Sequence, residues 1–509
     1  MKSTMVWNSR ILLTGLLLSG AAALAVPLTV YVDVNAAAGG TGGAADPYQT
    51  IGAGVAAIIA NAGVNQFEGT VKVADGVYRA TANGGLENFG ANGITISKYM
   101  TIKGGYAGSG DWTEPTRVLR STDIDLTGAN TRAFYQAGGP THQYNGSLID
   151  GFTIRNGNVT GNGGAISMDT DYGDCMSVAN SAFINNRASG QGGAVWLAGS
   201  YGPASVSKST FSGNQAGTDG GGVFISNSGN YGQGVFDSVL VGNRAATGGG
   251  VYFNGASNAG GAPKAERDLF LSNTATAMGG ALFTPDSVGQ SPLFINMSTF
   301  LSNSAPSGAA IGGAAYWQGA YTIRNSLIAK NTGGGYAVNV SGYRVENMLS
   351  LDMAYVTVAD NLGGGVYVYR NGGTDFGMKI LDSIIANNGA TGIYYYKGGV
   401  GGPAATINYS DVYGQTVNLS GDALLGDLTG TIFTDPAFMD ALNNNYRLLL
   451  GSGAIDSGIN IAGITTDLQG WWRPLGAGFE MGAFESPEPA ALSLLLFAGC
   501  WLLRRRADR

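Results

Sequence analysis

The chain has 509 residues, a formal net charge of −7 and a pI of about 4.8. Binding to a nucleic-acid backbone depends on clustered Lys and Arg, so this charge balance excludes nucleic acid as an expected partner. Glycine contributes 85 residues and charged residues only 12%, and the two cysteines, Cys175 and Cys500, provide no disulfide framework. We therefore expect a turn-rich chain with few surface charges.

The N-terminus predicts export. Lys2 and Arg10 precede an apolar run that ends in the small-x-small triplet Ala23-Leu24-Ala25, as in secretory signal peptides. We place the cleavage between Ala25 and Val26, so residues 1–25 are the predicted signal peptide. An uncleaved membrane anchor is the alternative, and the short run disfavours it.

One helical pattern follows the signal peptide. The stretch TIGAGVAAIIAN, residues 50–61, comes after the Asp46-Pro47 turn and predicts a short amphipathic helix. Stacked strand structures leave unpaired edges at their ends, and such edges invite association. We expect this helix to close the N-terminal end of the fold that the next residues build.

Residues 148–398 repeat with a period of about 29, and an asparagine marks each unit. Successive marks are 30, 28, 29, 30, 30, 28, 30 and 27 residues apart. Between one mark and the next lies a glycine cluster, which in most units opens a short apolar run such as AVWL or GVFI, too short and too β-branched for a helix. The marks are Asn156, Asn186, Asn214, Asn243, Asn273, Asn303, Asn331, Asn361 and Asn388.

This period, with two or three short strands per unit, predicts an all-β fold: a single-stranded right-handed parallel β-helix, a solenoid of about 29 residues per coil. Identical asparagines on stacked coils form a ladder of side-chain amides, which pairs polar groups that a tight corner would bury. Glycine provides positive φ angles and close backbone approach. Both signatures are therefore predicted to be structural first.

Several stretches resemble known families. FINN with GGAV, FSGN with GGGV and FLSN with GGAL resemble the repeat of polymorphic outer membrane proteins, a likeness that weakens at LIAKN and VTVADN. YVDVNAAAGGTGGAADPYQTIGAGVAAI resembles the opening of pectate-lyase-like β-helices. DPAFMDALNNNYRLLLGSGAIDSGIN with GAGFEMGAFE resembles the end of choice-of-anchor Q proteins, except that Glu480 stands where that family usually has Asp. The resemblance implies a cap with the first coils in 26–147, a repeat core in 148–398, and the last coils and closing segment in 399–485.

Residues 486–509 predict a second targeting signal. Pro487, Glu488 and Pro489 precede fourteen uncharged residues, 490–503, and the cluster Arg504, Arg505 and Arg506 follows. This arrangement resembles the PEP-CTERM sorting signal that an exosortase processes in Gram-negative bacteria. It implies secretion through the inner membrane to the cell surface or extracellular matrix. The predicted apolar helix is shorter than the ~20 residues that span a bilayer comfortably, so it would hold the membrane only marginally before processing; a plain tail anchor is the alternative.

Metal-binding candidates are sparse. Asp169, Asp171 and Asp174 in DTDYGD offer the clustered carboxylates that Ca²⁺ takes, but the stretch lacks a full calcium-loop signature, so we expect a solvated loop and no cofactor. His142 is the only histidine and has no GxSxG stretch near it, which favours a structural role.

Charge alternates at the position six residues before the marks. Lys208, Asp237 and Arg267 stand there on successive coils, which lie about 4.8 Å apart in a stacked sheet. We expect an ion-pair ladder on a solvated face, not an anionic metal nest.

The residue two after the Gly-Gly-Ala motif is mostly aromatic. If Val195, Val223 and Val251 point into the core, strand alternation turns the following side chain outward. An external stripe results, whose rings either support one another or form a platform for sugar rings. The stripe comprises Trp196, Phe224, Tyr252, Phe283, Tyr316, Tyr367 and Tyr394, with Ser167 and Asn339 at two further positions.

Two function classes follow. The favoured one is a non-enzymatic β-helix of the cell surface or matrix, adhesin-like or associated with exopolysaccharide. The alternative is a polysaccharide lyase or glycoside hydrolase on the same scaffold, because fold does not settle function. Such an enzyme needs a groove with convergent carboxylates and a basic residue, whereas Ala, Gly, Ser and aromatics dominate the in-register positions.

Overall fold

The structure is a computed structural model, and the chain winds in it as a parallel β-helix whose coils carry strands on three faces. The predicted all-β solenoid is confirmed. The structure describes residues 28–61, 69–97, 99–108, 110–136, 146–170, 175–199, 202–227, 233–255, 262–285, 293–315, 318–342, 348–370, 377–398 and 404–487.

We number the faces in the order in which the chain enters them. Face 1 contains Leu28–Val32, Gly69–Ala74, Met100–Tyr106, Gly146–Asp150, Cys175–Ala179, Ala204–Ser207, Gln233–Phe236, Lys264–Glu266, Leu293–Asn296, Met378–Leu381 and Thr406–Asn408. Face 2 contains Gly76–Arg79, Thr122–Asp125, Phe152–Arg155, Ala182–Ile184, Thr210–Ser212, Val239–Val241, Leu269–Leu271, Thr299–Leu301, Ile384–Ala386 and Asp411–Tyr413. Two long strands run through both faces, Gln318–Ala329 and Met348–Ala359.

Face 3 is a sheet of 12 parallel strands. Its strands are Ile94–Thr95, Phe134–Gln136, Ile166–Thr170, Val195–Gly199, Val223–Asn227, Val251–Asn254, Leu282–Pro285, Ile311–Ala315, Tyr336–Gly342, Gly364–Tyr369, Thr391–Tyr396 and Val417–Gly421. A narrow sheet between faces 2 and 3 contains Asn158–Val159, Arg187–Ala188, Gln215–Ala216, Arg244–Thr247 and Thr274–Met278.

The interior of the coils is apolar and stacked in register. Val195 and Leu197 on face 3 are fully buried, as strand alternation requires for side chains that point inward. The aromatic residue of the FxxN signature also points inward: the Phe183 and Phe211 rings stack at 4.8 Å between centroids with an interplanar angle of 12°. The signature therefore places one ring in the core and one amide at the next corner.

The marker asparagines form a buried ladder at the corner after face 2. The Oδ1 of Asn243 accepts hydrogen bonds from the backbone N–H of Asn214 at 3.0 Å and from its Nδ2 at 2.9 Å. The Nδ2 of Asn243 donates to Oδ1 of Asn273 at 2.9 Å and to the carbonyl of Phe211 at 3.0 Å. The same pattern joins eight residues: Asn186, Asn214, Asn243, Asn273, Asn303, Asn331, Asn361 and Asn388.

Asn156 lies outside this ladder, so its assignment to the ladder is wrong. Ile184 pairs with Arg155, which places Asn156 opposite Asn185 and not opposite Asn186. The ladder position of this coil is Gly157, whose N–H donates to Oδ1 of Asn186 at 2.9 Å. Asn156 instead occupies the corner residue with positive φ, 63°, and its Nδ2 bonds outward to Oγ1 of Thr127 at 2.9 Å.

A second ladder, which the sequence reading missed, follows the corner between faces 1 and 2. Oγ of Ser238 accepts from the N–H of Ser209 at 3.1 Å and donates to the carbonyl of Phe236 at 2.8 Å. At one rung the serine is replaced by Asp268, whose Oδ1 accepts from the N–H of Ser238 at 2.8 Å. The rungs are Ser181, Ser209, Ser238, Asp268, Ser298, Ser326, Ser383 and Ser410.

The residue before each serine rung has positive φ although it is not glycine, as at Lys208 (49°), Asp237 (50°) and Arg267 (58°). These are the residues whose signs alternate in the sequence. Arg267 forms a two-pronged ion pair with Asp237, Nε–Oδ1 2.6 Å and Nη2–Oδ2 3.1 Å. Lys208 acts on Asp237 at longer range, and the pKa of Asp237 is lowered first by the Arg267 hydrogen bond.

The two glycines of each pair have different roles. Gly220 has a backbone φ of +67°, which residues with a side chain rarely adopt. Its neighbour Gly221 lies so close to the next coil that an added Cβ would stand 2.2 Å from the carbonyl oxygen of Gly249. The predicted roles of positive φ and close backbone approach are both present, one at each glycine.

The predicted capping helix is present at Ile51–Ala60. Ile51, Val55 and Ile58 are buried against the first coils, and Thr50 caps the N-terminus through its Oγ1. Glu87 reaches the same end of the helix, where its carboxylate accepts from the N–H groups of Ile51 at 2.6 Å and Gly52 at 2.9 Å. This is a favourable position for an acidic group, because a helix N-terminus carries positive partial charge.

The C-terminal part of the described chain, residues 433–486, folds back over face 2, and we call it the closing segment. It contains the antiparallel pair Phe438–Asp440 and Asn445–Leu448, and it packs on Leu327, Ala329, Ala359 and Ile384 of face 2. Short 3₁₀ turns lie at Thr81–Asn83, Glu114–Thr116, Asp422–Leu425 and Ala441–Asn443.

The predicted sorting features lie mostly outside the described residues. Pro487 is described, whereas Ala25, Val26, Glu488, Pro489, Arg504, Arg505 and Arg506 are not, nor is the apolar stretch 490–503. Within the described ranges, every helix is too short or too polar to cross a membrane.

Candidate functional site

Face 3 carries a continuous column of outward side chains. Val195, Val223 and Val251 are fully buried, so the residue after each one faces out. Parallel pairing places Trp196 opposite Phe224 and continues the column from coil to coil. In order, the column reads Tyr135, Ser167, Trp196, Phe224, Tyr252, Phe283, Gly312, Asn339, Tyr367, Tyr394 and Ser420.

Four consecutive aromatic residues of this column, from Trp196 to Phe283, stack on one another along the long axis. Trp196 and Phe224 have centroids 6.4 Å apart at 12°, Phe224 and Tyr252 5.2 Å at 14°, and Tyr252 and Phe283 5.5 Å at 35°. The flat sides of neighbouring rings therefore cover one another, and Phe224 and Phe283 are only 2% and 6% exposed. This stack shows ring edges to solvent, so most of its flat area is not open to a sugar ring.

The column position that the sequence assigned to Tyr316 is occupied by Gly312. Phe283 pairs with Gly312, and Gly312 pairs with Asn339, which fixes Asn339 in the column. The coil turns at Gly308, with φ of +58°, four residues before the Gly312-Gly313 pair that the sequence reading used. A Cβ on Gly312 would stand 2.9 Å from Cδ2 of Phe283, so this ring leans over the glycine. Tyr316 itself lies outside the described residues.

A second group of rings forms a grid near the C-terminal end of face 3. Tyr367 stacks on Tyr394 at 4.9 Å and 7°, and Tyr369 stacks on Tyr396 at 5.0 Å and 15°. Tyr367 and Tyr369 lie side by side at 6.5 Å and 6°, and Tyr336 adds a tilted ring at 5.1 Å from Tyr367. We call these five residues the tyrosine grid.

Three members of the tyrosine grid were missed in the sequence: Tyr336, Tyr369 and Tyr396. The signal for two of them was visible, because YVY at 367–369 and YYY at 394–396 repeat tyrosine with the period of two that keeps side chains on one face of a strand. Tyr336 comes from a different register and only the fold brings it to Tyr367.

The last layer of the grid, Tyr394 and Tyr396, forms what we call the tyrosine shelf. On the next coil, the small residue Ser420 stands opposite Tyr394, while Gly421 pairs with the buried Tyr395 and the 3₁₀ turn Asp422–Leu425 begins after it. Within the part of the chain that the structure describes, no further ring stacks on the far side of the shelf, and Tyr396 is 36% exposed. A flat apolar surface edged by hydroxyl groups is the kind of surface on which sugar rings stack.

Carboxylates and a base do converge, but inside the closing segment. Arg473 Nη1 and Glu485 Oε1 form an ion pair of 2.7 Å, with both side chains at 0% exposure. The Arg473 guanidinium lies 4.0 Å from the centroid of the Tyr355 ring, and its Nη2 donates to the carbonyl of Gly482 at 2.8 Å. A cluster closed in this way fastens the segment to the β-helix and is out of reach of a polymeric substrate.

Burial also sets the protonation of this cluster. It raises the pKa of Glu480 to about 9, helped by a hydrogen bond with Glu485, so Glu480 is neutral at pH 7 while Glu485 balances Arg473. Burial raises the pKa of Asp382 to about 7 as well. Asp382 Oδ1 accepts from the N–H of Ile459 at 2.8 Å, which ties the closing segment to face 2. Glu480 is thus part of the buried cluster that holds the closing segment on the β-helix.

A groove of about 540 Å³ lies between face 2 and the closing segment, with Asp237, Arg267 and Asp268 at one side. The ion pair with Arg267 lowers the pKa of Asp237, and burial raises the pKa of Asp268. Two neighbouring carboxyl groups with pKa values shifted in opposite directions are typical of acid–base enzymes. Here Asp268 serves the serine ladder: its Oδ1 is bonded to the N–H of Ser238, and its Oδ2 is also buried. Burial therefore keeps both oxygens of Asp268 away from a substrate.

The candidate calcium residues are only partly visible. Asp169 lies on the face 3 strand Ile166–Thr170, while Asp171, Asp174 and His142 fall outside the described residues. Throughout the described ranges, no group of three His, Cys, Asp or Glu side chains has a geometry that would hold a metal ion.

Comparison with known proteins gives a low-level likeness only. No known protein family matches the chain, and no curated protein matches it either. Among solved structures, it is similar to pectate lyase Pel9A, with 14% identity, a TM-score of 0.44, and 90% of this chain and 96% of the other covered. It is also similar to a rhamnogalacturonan lyase, with 13% identity, a TM-score of 0.35, and 81% and 90% covered. Likenesses of this size transfer no residue role and no activity.

Proposed function

We propose that this chain is a non-enzymatic β-helix of the bacterial cell surface or extracellular matrix, and that it associates with exopolysaccharide through the tyrosine grid. The observation that carries the proposal is the tyrosine shelf: Tyr394 and Tyr396 are the last rings of two stacks, and Ser420 stands opposite Tyr394 on the next coil. The small side chain of Ser420 leaves room for a planar ligand over the Tyr394 ring.

The geometry also restricts the contact to part of the predicted stripe. Sugar rings bind to aromatic faces, and in the stack from Trp196 to Phe283 most faces are covered by neighbouring rings. That stack supports the scaffold, since each cross-strand aromatic pair contributes about 0.2–1 kcal/mol. The glycan contact therefore belongs to the grid end of the column.

The cellular setting rests on the two ends of the sequence. The leader before Ala25 supports export, and the Pro-Glu-Pro motif, apolar run and arginine cluster support delivery to the cell surface by an exosortase. The long rigid stack of coils suits a displayed rod, because each coil contacts its neighbours along one axis.

The test compares binding of the full chain and of a Tyr394→Ala, Tyr396→Ala double variant to a panel of neutral and acidic polysaccharides by affinity electrophoresis. Each lost stacking contact with an aromatic ring costs about 0.5–1.5 kcal/mol, so we expect the double variant, which loses two rings, to bind about tenfold more weakly to the polysaccharide that the parent chain retains.

The matched control is Trp472→Ala, because Trp472 is 71% exposed and lies on the closing segment, away from face 3. Equal loss in control and double variant, or no loss in either, contradicts the grid as the binding surface. Release of reducing or unsaturated sugar ends during the same incubations contradicts the non-enzymatic assignment and favours the alternative, a polysaccharide lyase or glycoside hydrolase.

A further inference from the structure

Two aspartates face the closing segment from adjacent coils. Asp382 lies at the corner between faces 1 and 2, just before the strand Ile384–Ala386, and Asp411 begins the face 2 strand of the next coil. Both side chains are 0% exposed. Burying a carboxylate is costly unless a group of opposite charge pairs with it, so the protonation of these two groups bears directly on whether the closing segment stays in place.

Each aspartate holds the closing segment through one carboxyl oxygen. Asp382 Oδ1 accepts from the N–H of Ile459 at 2.8 Å, and Asp411 Oδ1 accepts from the N–H of Thr434 at 3.1 Å. The two contacts hold the segment near its middle and at its beginning. The other oxygen of each carboxyl, Oδ2, is buried without a hydrogen-bond partner among the described residues, a situation that a neutral carboxyl tolerates better than an ion.

The charged groups around the two aspartates are mostly acidic. Arg473 is a cation near Asp382, but its charge is paired with Glu485 at 2.7 Å. Asp435 faces Asp411 and has the same sign. The titratable groups that face these aspartates or border the same cluster, from the coils and from the closing segment, are Tyr355, Tyr409, Asp435, Asp456, Arg473, Glu480 and Glu485.

Burial raises the pKa of both Asp382 and Asp411 to about 7, whereas an aspartate in water has a pKa of about 3.9. Because the pKa is higher in the docked state than in the open one, each contribution to docking is complete in acid and is lost as pH rises through about 7. Above that pH, an open closing segment lets both carboxylates reach water.

We propose that the closing segment is a pH-controlled cover on face 2, docked in acid and released as the pH rises above neutral, with Asp382 and Asp411 as its two titrating contacts. Release uncovers apolar side chains that the segment now buries, among them Leu327 and Ile384. They continue the half-buried, uncharged side chains that earlier coils of face 2 show outside the segment, such as Leu271. The inference does not depend on the glycan contact, because the tyrosine grid lies on face 3.

Hydrogen exchange of the full chain at pH 6, 7 and 8, followed by mass spectrometry, tests the proposal. The parent chain is compared with Asp382→Asn, Asp411→Asn, in which each side chain keeps its acceptor oxygen but cannot ionise. Comparing two chains at the same pH removes the intrinsic effect of pH on exchange. Exchange reports the opening equilibrium, and each aspartate increases opening about tenfold between pH 6 and pH 8.

For peptides of residues 433–486, the ratio of exchange rates, parent to double variant, should therefore rise about a hundredfold between pH 6 and pH 8. Against each single variant, the ratio should rise about tenfold. Peptides from the strands Thr210–Ser212 and Leu269–Leu271 are the internal reference for the coils, and their ratio should stay constant.

Asp237→Asn is the matched control. Asp237 borders the groove beside the closing segment, and its ion pair with Arg267 lowers its pKa, so this carboxylate is charged over the whole range. The ratio of parent to Asp237→Asn should stay constant between pH 6 and pH 8.

Three results would overturn the proposal. A constant ratio for residues 433–486 against the double variant means that the two aspartates do not control docking. An equal rise in the reference peptides means that the whole β-helix loosens, not the closing segment. A rise of the same size against Asp237→Asn means that the pH effect is not specific to Asp382 and Asp411.

Discussion

The repeat coils and the closing segment bury polar groups in opposite ways. In the repeats, neutral amides such as Asn243 sit at 0% exposure and bond to identical neighbours above and below. In the closing segment, Arg473 and Glu485 are buried as ions, and Glu480 is buried as a neutral acid. A repeated coil always has an identical partner at the right distance, whereas a segment that occurs once must be paired by a group of opposite charge.

The largest expected effect comes from breaking the buried ion pair between Arg473 and Glu485. Arg473→Met leaves the charge of Glu485 buried without a partner, and removing one member of a buried ion pair costs about 3–5 kcal/mol. We expect the closing segment to become sensitive to proteolysis and its amides to exchange faster, measured by limited proteolysis and hydrogen exchange with mass spectrometry.

The control for this change is the double variant Arg473→Met, Glu485→Leu. Replacing both members of a buried pair by apolar groups is often close to neutral, so the double variant should regain much of the protection. Unchanged protection in Arg473→Met alone would mean that the ions do not fasten the segment.

A smaller effect is expected in the amide ladder. Asn243→Ala removes the acceptor of two donors of Asn214 and the donor to Asn273 and Phe211. Each buried polar group left unpaired costs about 1–3 kcal/mol, and neighbouring coils share the loss, so we expect about 2–4 kcal/mol of local destabilisation. Hydrogen exchange of the strands on either side reports it.

Asn158→Ala is the comparison for this ladder variant. Asn158 is exposed, and its Nδ2 bonds to Oδ1 of Asn130 at 3.0 Å on the surface, where water replaces a lost partner. We expect a change within about 0.5 kcal/mol. Similar losses in both variants would show that the ladder does not bear on stability.

The smallest effect tests whether the serine ladder prefers a neutral rung. Burial raises the pKa of Asp268 above its value in the unfolded chain. A raised pKa means that its contribution to stability is fully present below the unfolded pKa and is lost as pH rises through the folded pKa. Asp268→Ser should therefore stabilise the fold increasingly between acidic and mildly alkaline pH, measured by denaturant unfolding across that range.

Asp237→Asn supplies the opposite sign as a control. Its ion pair with Arg267 lowers the pKa of Asp237, so the wild-type carboxylate contributes stability above the unfolded pKa and loses it as pH falls through the folded pKa. The contribution of this exposed ion pair to the free energy of unfolding is small. A pH-independent effect of Asp268→Ser would show that Asp268 is not protonated in the ladder.

The repeat core was largely predictable because its signals are local and recur. The spacing of FxxN and the glycine pair gave the coil length, and eight of nine asparagines lie where that spacing put them. The errors arose where two neighbouring residues satisfy the same pattern: Asn156 precedes the true ladder position by one, and Gly312 follows the true turn, Gly308, by four. Only backbone pairing distinguishes such neighbours.

The candidate site was less predictable. Alternation correctly turned Trp196 and Tyr367 outward, but strand pattern carries no information on the tilt of a ring. Stacking along the axis covers Phe224 and Phe283. It leaves an open layer where the stacks end, at Tyr394 opposite the small residue Ser420 and at the exposed Tyr396. The sequence also gave no sign that Arg473, Glu480 and Tyr355 meet, since more than 100 residues separate Tyr355 from the other two.

The sequence by itself determined the architecture: its period, its corner amides, its glycine turns and the helix that covers the first coil. These depend on interactions between equivalent positions of adjacent coils, which a repeat encodes directly. Tertiary structure alone decided which rings are open, which carboxyls are neutral and which surface of face 2 is left uncovered. Those properties depend on groups far apart in the chain, whose burial and separation exist only once the closing segment has folded back on the coils.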